Sequence, residues 1–130
     1  MKGLTNREKA QVVAEASLER AAEEVVALDV GNAVSFADVF VICTGGSDRQ
    51  VRSIADAIEE AVDKHGERPL GIEGYDEGRW VLMDFADVIV HVFQQEVRRH
   101  YDLERLWSDA PKLDLRIEEN DPGNGRTLAR

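Results

Sequence analysis

Apolar residues recur along this chain in two rhythms, and the switches between them outline its elements. Near the N-terminus, Ala14, Leu18, Ala21 and Val25 follow one another at intervals of four, three and four residues. That spacing makes one stripe of an amphipathic helix, which Asn6 would cap and which would run to about Glu24. Glu15, Glu19 and Glu23 fall on the opposite, solvated side. Val25–Val30 then reads as a strand closed by the turn pair Gly31–Asn32. Val39–Thr44 is almost continuously apolar, as expected of a central strand buried on both faces. After Gly45–Gly46, Ser47 and Gln50 have capping-box spacing. Val51, Ile54, Ala55, Ile58 and Val62 follow as a second helical stripe, with Asp56, Glu59, Glu60 and Lys64 toward water and His65–Gly66 as the stop.

Beyond that helix, residues 68–73 read as an extended segment that Pro69 places at a sheet edge or strand start, followed by the loop Gly74–Gly78. Two β-type runs come next, Arg79–Phe85 and Val88–Phe93, separated only by Ala86 and Asp87. So short a connection predicts an antiparallel hairpin. Side chains alternate along a strand, so Val81, Met83 and Phe85 point one way and Trp80, Leu82 and Asp84 the other. Both faces are largely apolar, yet one suffices to cover a small core. The second face is either covered by a further helix or left open as a contact surface. A short helical segment follows, in which Tyr101, Leu103, Leu106 and Trp107 would pin the helix to the domain.

The order α-β-β-α-β-β-β-α predicts an α/β fold with a mixed β-sheet of about five strands packed with helices. The short final connection excludes an all-parallel winding. The expected organisation is a single domain over residues 1–113 and a polar, disordered tail over 114–130.

At 130 residues the chain suits one domain. Its 26 acidic and 16 basic residues leave a net charge of −10, which disfavours gripping a nucleic-acid backbone and suits either a basic protein partner or simple solubility. Arg98, Arg99 and Arg105 form a local basic run, expected to pair with Asp102, Glu104 and other acidic neighbours, with RNA contact at most incidental. Cys43 is the only cysteine, so no internal disulfide can form. The N-terminal residues lack an apolar signal core and no stretch reaches transmembrane length, which favours a cytoplasmic protein without membrane contact.

Catalytic constellations are sparse. The Gly45–Gly46–Ser47 junction has the shape of an anion-binding helix start, but no lysine follows at phosphate-loop spacing. A nucleotidyltransferase would need a carboxylate pair close behind it to hold magnesium, and none follows. Cys43 and His91 on neighbouring strands would make a nucleophile and base, or simply a buried thiol and a core histidine hydrogen-bonded to a neighbour. Asp29, Asp38, Asp84 and Asp87 stand at strand ends, where carboxylates commonly cap backbone groups. His65, His91 and His100 lack metal-site spacing.

Three blocks of the chain carry a family resemblance. They are DVFVICTGGSDRQVRSIADAIEE from Asp38 to Glu60, EGYDEGRWVLMDFADVIVHVF from Glu73 to Phe93, and YDLERLWSDA from Tyr101 to Ala110. Together they make the chain similar to the ribosomal silencing factor family, the Iojap-related proteins. The resemblance implies a nucleotidyltransferase-like topology without catalytic carboxylates, and hence no enzyme activity, cofactor or metal. It implies binding to the fourteenth protein of the large ribosomal subunit, a steric block to joining of the small subunit, and repression of translation. It points to Glu73, Gly74, Trp80, Leu82, Asp84 and Phe85 as partner-binding residues, with no specific DNA partner. The apolar hairpin face also suits a homodimer in the free state. The alternative is a degenerate nucleotidyltransferase-like enzyme using the Gly45–Ser47 turn.

Overall fold

A computed structural model of the chain describes residues 3–102, 105 and 108–115. Its elements are α1 (Asn6–Glu19), β1 (Glu23–Asp29), β2 (Val39–Gly45), α2 (Asp48–Asp63), β3 (Gly71–Glu73), β4 (Trp80–Asp84), β5 (Val88–Gln94) and α3 (Gln95–Tyr101). That is the expected α/β order. The sheet runs β1-β2-β5-β4-β3. Only β2 and β5 pair in parallel, and the other three pairings are antiparallel.

The first helix starts and stops differently from its sequence pattern. Thr5, not Asn6, is the cap: its hydroxyl accepts from the Glu8 amide at 3.1 Å, and the Glu8 carboxylate accepts from the Thr5 amide at 2.9 Å. The helix ends at Glu19 rather than near Glu24, because Glu23 is already paired with Thr44 across the sheet. The tight passage between them turns through Ala21 at φ 62° and a bulge at Glu24 with φ 52°. Val25 therefore belongs to the two-residue rhythm of β1, and α1 buries Ala10, Val13, Ala14 and Ser17 instead.

The second helix buries the stripe foreseen for it: Val51, Ile54, Ala55, Ile58 and Val62. Ser47 accepts from the Gln50 amide at 3.1 Å, but the capping box is not closed. The Gln50 side chain instead accepts from Gly46 N and donates to the carbonyls of Arg20 and Ala21, satisfying backbone groups where α1 has ended.

Both helices pack on one face of the sheet, against Val41, Cys43, Val81, Met83, Val90 and Val92. Every residue of β2 is buried. The hairpin forms as predicted: the Phe85 amide donates to Val88 O at 2.9 Å, with Ala86 at φ 75° in the turn. Lys9 of α1 holds this turn from beneath. Its ammonium meets Asp87 at 2.6 Å and Glu67 at 2.7 Å and donates to Phe85 O at 3.2 Å. Burial opposes its charge, but the hydrogen bonds to Asp87 and Glu67 prevail and raise its pKa. At the far edge of the sheet, Asp29 N donates to Pro111 O and Leu113 N to Ala27 O, closing β1. Packing continues through Leu115, which is buried in the helix-side core.

Candidate interaction face

The opposite face of the sheet is where the predicted residues gather. In β4, Val81 and Met83 are buried while Trp80, Leu82 and Asp84 are half-buried, as strand alternation requires. Cross-strand register extends the face on both sides. Leu82 stands between Glu73 and His91, Asp84 between Gly71 and Ile89, and Trp80 opposite Phe93. Glu73 and Asp84 thus set two carboxylates around an apolar centre. A Cβ added at Gly71 would meet nothing within 4 Å.

An aromatic run crosses this face. Phe36, 63% exposed, lies 6.3 Å from Phe40, which meets His91 edge-on at 4.9 Å. Trp80 lies 6.0 Å from His91, and 4.8 Å from both Phe93 and Tyr101. Tyr101, at the end of α3, is 52% exposed. The question left open by the sequence, covered or open, is therefore answered at each residue. The seven-residue α3 buries Val97 at one end of the face, and Tyr101 supports the Trp80 ring without enclosing it.

His91 is only 5% exposed. Trp80 Nε1 donates to its Nδ1 at 3.2 Å, so the neutral ring carries its proton on Nε2, and that atom has no hydrogen-bond partner among the described residues. Burial pushes its pKa down to about 4, so the imidazole is uncharged at neutral pH.

Two of the predicted residues act differently. Gly74 has no side chain to offer; at φ 79° it lets the loop pass so close to the Trp80 carbonyl that a Cβ would collide with it. Phe85 is 2% exposed in the helix-side core. As a partner-contacting side chain it is withdrawn, because alternation groups it with Val81 and Met83. Conversely, Phe36, Phe40, His91 and Tyr101 join the face without having been singled out for it. Phe40 and His91 carried one sequence signal, parity, since Phe40 and Ile42 share one side of β2 and His91 and Phe93 one side of β5; Phe36 and Tyr101 lie outside the strands.

The other chemistries read from the sequence do not assemble. Cys43 faces the helices while its strand neighbour Ile42 pairs with His91, so the thiol and imidazole lie on opposite sides of the sheet. Burial pushes the Cys43 thiol up to about 12. Gly45 packs against Val51 and Ser47 is spent as the α2 cap. Asp29 accepts from the Gly31 amide, Asp84 from the Ala86 amide, and Asp87 from Lys9. Among the described residues, no three His, Cys, Asp or Glu side chains are grouped to hold a metal ion, and no helix is long and apolar enough to cross a membrane. Arg98 turns inward, donating to Glu24 O at 2.7 Å and Thr44 Oγ1 at 2.6 Å, rather than standing in a surface basic run. Leu103, Glu104, Leu106, Trp107 and the tail beyond residue 115 lie outside the described residues.

Comparison with known proteins agrees with this architecture. Residues 4–129 match the family model described as ribosomal silencing factor during starvation. The chain is 46% identical over 105 residues to the ribosomal silencing factor RsfS of Bacillus subtilis (strain 168), covering 81% of this chain and 89% of that protein. It is 41% identical over 112 residues to the protein of that name from Halalkalibacterium halodurans, covering 86% and 96%. A crystal structure of a Chromobacterium violaceum protein superposes with a TM-score of 0.79 at 30% identity, over 92% of this chain and 98% of that one.

Proposed function

The chain belongs to the ribosomal silencing factor family, and from that premise we propose that it binds the large ribosomal subunit through that subunit's fourteenth protein and keeps the small subunit from joining. The observation that carries this reading is the half-buried Trp80 and Leu82 beside the carboxylates of Glu73 and Asp84. An aromatic anchor with an acidic rim suits a protein surface that offers an apolar patch among basic side chains. Burying the remainder of the Trp80 ring would contribute about 2 kcal/mol. The −10 charge would chiefly speed the encounter with a basic partner.

Inhibition then requires no bond-making. With the β4 face docked, the α1 and α2 layer on the other side of the sheet projects outward and occupies space the small subunit needs. The protein would act in the cytoplasm, and a free homodimer through the same face would compete with docking. RNA contact is incidental in this scheme.

Trp80→Ala should abolish comigration with large subunits in a sucrose gradient while the circular dichroism spectrum stays native. Undiminished comigration would take Trp80 out of the interface. Purified protein should reduce subunit joining in a translation assay, and unchanged joining at saturating protein would sink the occlusion mechanism. Titration with ATP or CTP and magnesium should give no specific heat; a saturable signal would instead favour a catalytic role for the Gly45–Ser47 turn.

A further inference from the structure

His91 contributes little to the core that a phenylalanine would not. It is almost wholly buried, its ring packs among Phe40, Phe93 and Trp80, and its Nε2 has no hydrogen-bond partner among the described residues. Such a polar atom costs stability rather than adding it. What the imidazole supplies and a phenyl ring lacks is the Nδ1 acceptor, and that acceptor receives the Trp80 indole N–H at 3.2 Å. The rings of Phe93 and Tyr101 limit the tilt of the indole. The hydrogen bond adds a directional constraint on the ring's rotamer that stacking alone does not supply.

We propose that His91 is the positioning residue of the docking face: it holds Trp80 so that the indole N–H is spent inside the protein and only the hydrocarbon of the ring meets the partner. This rests on the docking role given to Trp80 above. It also specifies the partner's side of the contact. The surface that receives Trp80 is apolar and needs no hydrogen-bond acceptor for the indole. Docking then loses less side-chain freedom, because the anchor is already oriented before contact.

The test combines His91→Phe, His91→Gln and Trp80→Phe in a double-mutant cycle read by large-subunit affinity, with thermal unfolding and hydrogen exchange of the Trp80 indole proton alongside. The indole proton should be protected in the native protein and exposed in H91F. Affinity should fall about five- to tenfold in H91F, the size of one organising hydrogen bond, while the unfolding midpoint holds or rises. H91Q, which keeps an acceptor, should recover part of the affinity and serves as the readout if H91F does not fold. In the Trp80→Phe background, His91→Phe should add less than about twofold, because there is no indole left to orient. Equal losses in both backgrounds, or H91Q no better than H91F, would reduce His91 to a space-filling residue and overturn the proposal. Binding that depends on Trp80 but ignores His91 would overturn this inference alone. Binding indifferent to Trp80→Ala would remove the docking reading as well.

Discussion

The two faces of the sheet are both apolar, yet they are finished differently. On one, helices of 14 and 16 residues close over Val41, Val81, Met83, Val90 and Val92. On the other, among the described residues, a seven-residue helix and the β1–β2 connection accompany a buried group of Phe40, Ile42, Ile89 and Phe93 but leave Trp80 and Leu82 half-buried. Of the buried polar side chains among the described residues, Thr44, His91 and Arg98 lie on this side, and Lys9 and Ser17 belong to α1. The first face is complete in itself and supplies stability. The second keeps a half-buried indole, an unpaired imidazole nitrogen and two nearby carboxylates, features that cost a lone domain something and suit a contact. Under the proposed docking, stability and binding fall on opposite sides of one sheet.

The sharpest challenge to that division is a pair of substitutions. Ile58→Ala on the helical side should cost about 2–5 kcal/mol in urea unfolding and leave large-subunit affinity per folded molecule unchanged. Trp80→Ala should take most of the affinity per folded molecule, beside an unfolding cost confined to the lost ring packing and the stranded His91 Nδ1. Similar profiles for both variants would dissolve the distinction. Next in size, Lys9→Ala should cost about 2–3 kcal/mol, since it strands Glu67 and Asp87 beside a nearly buried position, although solvent at both carboxylates moderates the loss.

Titration separates the two sides further. His91 is pushed down to about 4 from 6.5, so the unfolded chain takes up a proton before the folded one does. Stability should therefore fall as pH drops from about 6.5 toward 4, and His91→Phe should remove that part of the decline. The helical side behaves oppositely at high pH. Lys9 is raised above 10.5, so its contribution is present below that value and lost as pH rises through the folded pKa. That alkaline loss should vanish in Lys9→Ala. The hydrogen bond from Lys9 lowers Glu67 below its usual 4.5, so its share is present above 4.5 and fades in acid below it. The smallest effect belongs to the hairpin turn. Ala86 sits at φ 75°, where glycine is unstrained, so Ala86→Gly should raise stability by up to about 1 kcal/mol in thermal unfolding without altering affinity.

Much of this was legible before any coordinates. The stripe of α2 is a local 3.6-residue rhythm, and neither it nor the two-residue spacing of the hairpin depends on anything distant in the chain. Trp80, Leu82 and Asp84 were grouped by strand parity, whereas Glu73 came only from the family resemblance. Phe85 was misplaced among them although its own parity assigned it to the core. The end of α1 was misjudged because Ala21 and Val25 continue a helical rhythm by coincidence, and pairing of Glu23 with Thr44 overrides it.

Local order along the chain decided most of which residues form helices and strands, the end of α1 excepted, and which way each side chain points from its own strand. Only tertiary structure decided that β5 enters between β2 and β4, that His91 reaches Trp80, that Cys43 does not reach His91, and that one face receives two long helices and the other a short one. The reason is physical. Periodicity is written in neighbours a few residues apart, whereas strand order and register are chosen by contacts between segments far apart in sequence, which compete across the whole fold.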